Sequence, residues 1–265
     1  MNKKIITVKV GTSTITNENG SINLRVLDRL CRVLSEIESM GYQVVLVSSG
    51  AIAVGVNKMR LSHKPQELPL KQAAAAVGQC ELMHLYDKLF GEYGKMVAQI
   101  LFTSEDLAEE KKRENLSNTL TALLANGIIP IINENDSISS AEIESDKKIF
   151  GDNDMLSALV AGFIGAGKLI ILSDIEGLFD SNPRTNPEAK RIEKVERVTD
   201  EIIALADGAG STRGTGGMVS KLDAARYATE QGIDMWITLG ANPEGLYDIV
   251  DGKAVGTWFV GRDVE

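Results

Sequence analysis

Lysines and glycines occupy positions in this sequence where they could bind a phosphate group. Lys9 and Gly11 lie at the end of the first apolar run, and a glycine-rich stretch, 214–218, comes just before Lys221 at the start of a predicted helix. Backbone N–H groups and the helix dipole attract an anion at such a point, and glycine lets it approach closely. The pattern favours chemistry on an anionic group.

Polar residues follow the other predicted strands. The second strand ends in Ser48-Ser49-Gly50, the fourth in residues 133–136 and the fifth in Ser173-Asp174. In an open parallel sheet, ligands bind at the carboxyl ends of the strands, where the connecting loops converge. Each loop alone is typical of a turn, but five converging loops predict a ligand site.

Two of the charged residues have both a structural and a functional interpretation. A lysine beside the end of a buried strand is costly unless its ammonium meets an anion, which makes Lys9 informative. Lys9 could instead extend to solvent or pair with a carboxylate as part of the structure. Asp154, at a predicted helix start, could equally cap that helix.

Residues 162–168 match most of a nucleotide-binding P-loop. However, Leu169 stands where a P-loop has the Ser or Thr that holds magnesium, and a helix precedes the segment where a P-loop needs a strand. We interpret the segment as the C-terminal turn of a helix.

The hydrophobic pattern alternates between short apolar runs and helical periods. The runs predict strands at 5–10, 44–47, 97–102, 128–132, 169–172 and 233–238. Helices are predicted at 24–37 with Asn23 as N-cap, from Gly50 onward, and at 70–90, 114–126, 154–164 and 217–231. Such alternation predicts an α/β fold with a parallel sheet and helices on both faces.

The composition excludes several classes of function. The 265 residues carry a formal charge of −9 and only 5% aromatic residues, which argues against a surface that coats nucleic acid or anionic lipid. No repeat or linker divides the chain, so one domain, 1–265, is expected. The uncharged stretches 39–57 and 115–133 change period midway, which disfavours a membrane span.

Two features predict a cytoplasmic protein. Cys31 and Cys80 lie in helical patterns with no metal-ligand partner nearby, and they are expected to be buried thiols in a reducing compartment. The N-terminus passes directly into a strand pattern without the features of a signal peptide.

Six motifs together resemble the amino acid kinase family, in the order that the family shows and over essentially the whole chain. They are residues 8–13 (VKVGTS), 48–53 (SSGAIA), 72–79 (QAAAAVGQ), 133–136 (NEND), 151–154 (GDND) and 214–218 (GTGGM) with Lys221. The SSGA, NEND and GDND motifs are the narrower ones and point to the glutamate-phosphorylating branch. The resemblance implies a three-layer αβα sandwich and ATP-dependent phosphorylation of the L-glutamate side-chain carboxylate, the first step of proline synthesis.

The resemblance also implies which residues act in catalysis. Lys9 and Lys221 would flank the transferred phosphoryl group, and Asp154 would orient the two lysines. The backbone amides of Gly11 and Gly50 would help to bind that group.

Substrate-binding roles follow from the same resemblance. Glutamate would be held by Ser49, Asp136 and Asn153, with Asp136 facing its amino group. The nucleotide would be bound by Lys9, Ser173, Asp174, Thr215, Gly216, Gly217, Met218 and Lys221.

No general base is needed for this reaction, because a carboxyl group with a pKa of about 4.3 is already ionised at neutral pH. His63 and His84 are expected in a loop and on a helix, away from the strand ends. Mg²⁺ would be carried on the ATP phosphates, so no metal cluster of the protein is expected. The resemblance further implies a homo-oligomer and feedback inhibition by proline, and no C-terminal RNA-binding domain is expected in this chain.

Two alternative functions remain open. Another member of the family, acting on acetylglutamate, aspartate, carbamate or a nucleoside monophosphate, would share the fold and the lysine. An acidic residue such as Asp136 suits a free α-amino group better than an acylated or phosphorylated substrate. A non-catalytic sensor of nucleotide or amino acid would have no need for both lysines and Asp154.

Overall fold

An eight-stranded sheet forms the centre of the structure, a computed structural model that describes residues 2–139, 153–183, 185–205 and 217–262. The strand order is β3-β4-β2-β1-β5-β7-β8-β6. The strands are β1 (Asn2–Val10), β2 (Gln43–Ser48), β3 (Met96–Phe102), β4 (Ile128–Glu134), β5 (Ala166–Ser173), β6 (Lys194–Val195), β7 (Asp234–Leu239) and β8 (Thr257–Phe259).

The sheet is parallel except at one edge. Strands β3, β4, β2, β1, β5 and β7 pair in parallel, whereas β8 runs antiparallel to β7. The six strands predicted from sequence are confirmed. The prediction missed β6 and β8, because two- and three-residue strands are too short to show a period.

Helices cover both faces of the sheet. They are α1 (Thr12–Ile15), α2 (Leu24–Ser39), α3 (Ala51–Lys58), α4 (Leu68–Glu92), α5 (Ser104–Ala108), α6 (Glu110–Ala125), α7 (Asn153–Phe163), α8 (Asp200–Ala204), α9 (Met218–Glu230) and α10 (Gly245–Val250). Helices α2, α3, α4 and α10 contribute to one hydrophobic core, and α6, α7 and α9 to the other. The predicted three-layer αβα sandwich with a mainly parallel sheet is therefore confirmed.

Local predictions about the helices are mostly confirmed. The Asn23 side chain accepts a hydrogen bond from the Val26 N–H and caps α2. Helix α7 ends before Gly165, which has a φ of 62°, so the P-loop-like segment is a helix end followed by a strand, as interpreted. The expectation for the cysteines is half right: Cys31 is buried, but Cys80 is exposed, because it lies on the side of α4 that faces away from the core. No helix among the described residues could cross a membrane.

Helices α3 and α4 cross so closely that two glycines are required. A Cβ atom on Gly78 would lie 1.8 Å from the Ala51 carbonyl oxygen, and one on Gly55 would lie 1.7 Å from the Ala74 carbonyl oxygen. The clash in each case would be with backbone, which cannot rotate away. This crossing fixes the start of α3, and α3 begins directly after Ser49 and Gly50 at the sheet edge.

We expect Gly78→Ala to destabilise the protein by about 2 kcal/mol, because the added methyl forces the two helices apart. Gly91→Ala is the matched control on the same helix, since a Cβ there meets no atom of the described residues within 4 Å. That variant should be neutral or slightly stabilising, as alanine favours a helix over glycine by up to about 1 kcal/mol. Urea unfolding of both variants measures the difference. Equal stability of the two would contradict the close crossing.

Candidate active site

Two glycine-containing loops meet at the carboxyl edge of the central strands. Strand β1 lies between β2 and β5, so Gly11 follows the middle strand and Gly50 follows its neighbour. Gly50 has a φ of 100°, and a Cβ there would lie 3.1 Å from Cδ1 of Ile15. A Cβ on Gly11 would lie 3.7 Å from the Lys9 ammonium. Glycine thus brings backbone close to the end of β1, where an anion can approach.

A buried ion-pair triad stands beside these loops. Lys9 Nζ lies 2.5 Å from Oδ1 of Asp154, and Lys221 Nζ lies 3.0 Å from Oδ2 of the same carboxylate. Asp154 is fully buried, and Lys9 and Lys221 are 5% and 7% exposed. Two ammonium groups therefore share one carboxylate, so the three side chains counted alone carry an excess of positive charge.

The charge of Asp154 is maintained by its two partners. Burial by itself raises the pKa of this carboxyl. The charges and hydrogen bonds of Lys9 and Lys221 lower it by a larger amount, so the net result is a pKa of about 2. Asp154 is also the second residue of α7, where the helix dipole favours a negative charge. The aspartate is therefore ionised at neutral pH and serves as the common counter-ion of both lysines. The cap alternative fails, because its side chain contacts lysines and a serine of other elements.

A network of amides and a hydroxyl lies next to the triad. The Asn153 amide donates to Oγ of Ser49 at 2.8 Å and to Oδ1 of Asn133 at 2.9 Å. The Asn133 amide in turn donates to Oε1 of Gln79 at 2.9 Å. These contacts hold Ser49 and Asn153 together, although they lie on different elements. Two of the three predicted glutamate-binding residues are thus in direct contact.

A cleft of about 700 Å³ opens above this network. Ser49, Gly50, Asp136 and Asn153 line it, so the structure brings the third predicted glutamate-binding residue to the same cavity. Asp136 is half-buried there. His63 also lines the cleft, which corrects the expectation that both histidines lie away from the site: the loop after α3 brings His63 back to the cavity wall.

Of the predicted nucleotide-binding residues, Ser173 and Asp174 lie at the end of β5, on the side of β1 opposite to β2. Ser173 ends β5 and donates to the exposed Asp174 carboxylate at 3.2 Å. Gly217 is the N-cap of α9, and none of the atoms that the structure describes lies within 4 Å of the position its Cβ would occupy. The Met218 side chain is packed in the core, so only its backbone can face a ligand. Thr215 and Gly216 lie outside the described residues.

The sequence interpretation missed two residues of this site. Gln79 ends the QAAAAVGQ motif, and its contact with Asn133 links α4 to the network. Ser220 donates to Oδ2 of Asp154 at 3.0 Å. Each of them lies inside or next to a motif that had been recognised, and that proximity was the only available signal.

The sequence also matches a known family and several curated relatives. The model of the amino acid kinase family matches residues 4–239. A curated glutamate 5-kinase from Clostridium perfringens is 56% identical over 262 residues, covering 99% of this chain and 97% of the relative. One from Clostridium tetani is 52% identical and covers 97% of this chain and 94% of its own length.

Solved structures show the same fold. Carbamate kinase from Giardia lamblia, bound to AMP-PNP, superposes with a TM-score of 0.69 at 18% sequence identity. The match covers 98% of this chain and 99% of that one. At this identity the similarity supports the fold, and the curated relatives narrow the function.

Proposed function

This chain belongs to the amino acid kinase family, and we propose that it acts as a glutamate 5-kinase, which transfers a phosphoryl group from ATP to the side-chain carboxylate of L-glutamate. This is the first step of proline synthesis. One observation carries the proposal: the Lys9–Asp154–Lys221 triad stands directly beside a cleft lined with hydroxyl, amide and carboxylate groups. The close relatives do not favour the alternatives of another family kinase or a non-catalytic sensor.

The reaction needs charge and position rather than proton transfer. An oxygen of the ionised glutamate side chain attacks the γ-phosphorus, the bond from that phosphorus to the β,γ-bridging oxygen breaks, and ADP leaves with the electron pair. No proton moves, which agrees with a site whose charged centre is two lysines and an aspartate. The cost lies in bringing two anions together while negative charge accumulates on the leaving oxygen.

In the proposed mechanism, the two lysines offset this electrostatic repulsion. Lys9, at the end of β1, would neutralise charge on the attacking side, and Lys221, at the start of α9, would do so near the leaving oxygen. Asp154 keeps both ammonium groups at fixed positions, since each oxygen of its carboxylate contacts one of them. The amides of Gly11 and Gly50 would donate to the phosphoryl oxygens.

The cleft would select the amino acid. Ser49 and Asn153, already hydrogen-bonded to each other, would bind the polar groups of glutamate nearest the reacting carboxylate. Asp136, on the wall of the same cleft, would bind the α-ammonium group. A carboxylate at that position suits a free amine and disfavours an N-acylated substrate.

On the other side of the transferred group, the proposal assigns ATP to Ser173 and Asp174, to residues 215–218, and to the two lysines of the triad. Asp154 is occupied by the lysines, and no group of three potential ligand side chains occurs among the described residues. Asp174, an exposed carboxylate after the end of β5, fits a Mg²⁺ ion that the ATP phosphates and water hold. When bound, the ion would neutralise phosphate charge.

Trapping of the product tests the proposed function. The protein, incubated with ATP, Mg²⁺, L-glutamate and hydroxylamine, should form γ-glutamyl hydroxamate, because an acyl phosphate reacts with hydroxylamine. Parallel reactions with acetylglutamate, aspartate and carbamate should give little product. ADP formation without hydroxamate at any hydroxylamine concentration would contradict the proposal, and a high concentration outcompetes cyclisation of the product.

Asp136→Ala should raise the KM for glutamate at least about tenfold while the KM for ATP stays nearly unchanged, because the charge contact of this half-buried carboxylate with the ammonium is lost on one substrate only. Asn135→Ala is the matched neighbour: Asn135 does not line this cleft. Steady-state kinetics with each substrate varied gives both constants. A parallel rise in both KM values would assign Asp136 a structural role.

Four further properties belong to the proposal. We infer one catalytic domain, a homo-oligomer, feedback inhibition by proline and a cytoplasmic location. The free thiols of Cys31 and Cys80 support a reducing compartment. Light scattering and proline titration of the initial rate measure the assembly and the inhibition.

A further inference from the structure

The hydroxyl of Ser220 contacts the same carboxylate oxygen as the Lys221 ammonium. Its Oγ donates to Oδ2 of Asp154 at 3.0 Å, and Lys221 Nζ lies 3.0 Å from that oxygen. Ser220 is the third residue of α9, and Asp154 is the second residue of α7. The serine therefore connects the first turns of the two helices that bring the charged groups together.

Ser220 is the shortest of the side chains that hold this carboxylate. A single side-chain torsion separates its hydroxyl from the backbone, whereas a lysine ammonium lies at the end of a flexible stem. Rotation about the Cβ–Cγ bond of aspartate has a broad energy minimum, so two lysines alone would restrain the orientation of the carboxylate only weakly. A hydroxyl held by the first turn of a helix is the stiffest of the three contacts, and it can define which way Oδ1 and Oδ2 point.

The same hydroxyl also contacts the backbone at the start of α9. Ser220 Oγ lies 3.1 Å from the Gly217 carbonyl oxygen. A hydroxyl has one proton to donate, and a bond to a carboxylate is stronger than one to a neutral carbonyl. The bond to Asp154 is therefore the favoured one, with the Gly217 carbonyl oxygen close beside the hydroxyl.

We propose that Ser220 is a positioning residue for phosphoryl transfer: it fixes the rotation of the Asp154 carboxylate, so that the two oxygens hold Lys9 and Lys221 on opposite sides of the transferred group. The inference rests on the proposed function. The Ser220 hydroxyl contacts the Asp154 carboxylate and the Gly217 carbonyl, and the proposed mechanism gives it no substrate to bind. Its loss leaves every binding group in place, so it slows the transfer step without weakening the binding of substrates.

Ser220→Ala should lower kcat roughly ten- to a hundredfold, the range expected when a reacting geometry is loosened. The KM values for glutamate and ATP should stay within about twofold, since only the transition state is affected. Ser220→Thr restores the hydroxyl and should recover kcat to within about threefold of the wild type. Thermal unfolding of both variants checks that each is folded under the assay conditions.

Ser157→Ala provides a matched control. Ser157 is buried in α7 and donates to the backbone carbonyl of the same Asp154 at 2.6 Å. The substitution therefore removes a neighbouring hydroxyl and leaves the contacts of the carboxylate unchanged. Its kcat should stay close to that of the wild type. A normal kcat for Ser220→Ala would overturn the inference, and so would an equal loss in Ser157→Ala or no recovery in Ser220→Thr. If the wild type forms no γ-glutamyl hydroxamate, the proposed function fails instead.

Discussion

Lys9→Met is expected to lower kcat about a thousandfold while the protein remains folded. The ammonium of Lys9 lies at the end of the central strand, with Gly11 backbone beside it, where it would face the attacking carboxylate and the transferred group. Removal of one such electrostatic contact costs about 10²- to 10³-fold in other enzymes. Methionine retains the length and the apolar stem. Steady-state assay of hydroxamate formation measures the loss.

Lys9→Met is expected to lower activity far more than stability. Asp154 keeps its contacts with Lys221 and Ser220, so its charge remains compensated after Lys9 is removed. Lys4→Met is the matched control, because Lys4 is an exposed lysine at the opposite end of the same strand. That change should leave kcat unaltered. Lys221→Met should resemble Lys9→Met, and near-normal turnover in either would remove that lysine from the proposed mechanism.

The central strands and most helices could be predicted because each shows its own period. Residues 5–10 of β1 form a nearly continuous apolar run that is buried on both faces, and α2 repeats its leucines at helical spacing behind a capping Asn23. Pattern and local signal agree in these elements. The edge strands β6 and β8 could not be predicted, because their few residues acquire a strand conformation only by pairing with each other and with β7.

Contacts between residues far apart in the sequence limited how much of the site could be predicted. The strand-end positions of Lys9, Ser49 and Asp136 followed from the topology of a parallel sheet. The bond from Lys221 to Asp154 joins residues 67 positions apart. No local pattern encodes which carboxylate a lysine meets, and only the family resemblance implied this pairing. The hydrogen bond between Asn133 and Gln79 is likewise not encoded locally, because it depends on how α4 crosses α3. Cys80 illustrates the same limit, since a helical pattern without a strong apolar face does not show which side is exposed.

The triad also bears on stability, because its charges are buried. Two ammonium groups in a low-dielectric interior are tolerated only with a counter-ion and good hydrogen bonds. Asp154 supplies both, at the cost of its own desolvation. The site is thus stable only as a unit, and removal of the shared carboxylate is more severe than removal of either lysine.

Asp154→Asn should therefore destabilise the protein by about 4 kcal/mol and lower kcat at least about a hundredfold, since both lysines lose their only shared partner among the described side chains. The amide keeps the shape of the carboxylate, so packing is not the cause. Urea unfolding at pH 7 measures the first effect and the trapping assay the second. Unchanged stability would mean that the lysines find other counter-ions.

The pH dependence of this loss has a definite sign. The pKa of Asp154 is lowered in the folded protein, to about 2, from about 3.9 in the unfolded chain. Its stabilising contribution is therefore complete above about pH 4 and declines as the pH falls towards 2, because the unfolded chain binds the proton first. The stability difference between wild type and Asp154→Asn should be constant from pH 7 to about pH 5 and should shrink below pH 4. A difference that stays constant down to pH 3 would show that the carboxylate charge is not what stabilises the two lysines.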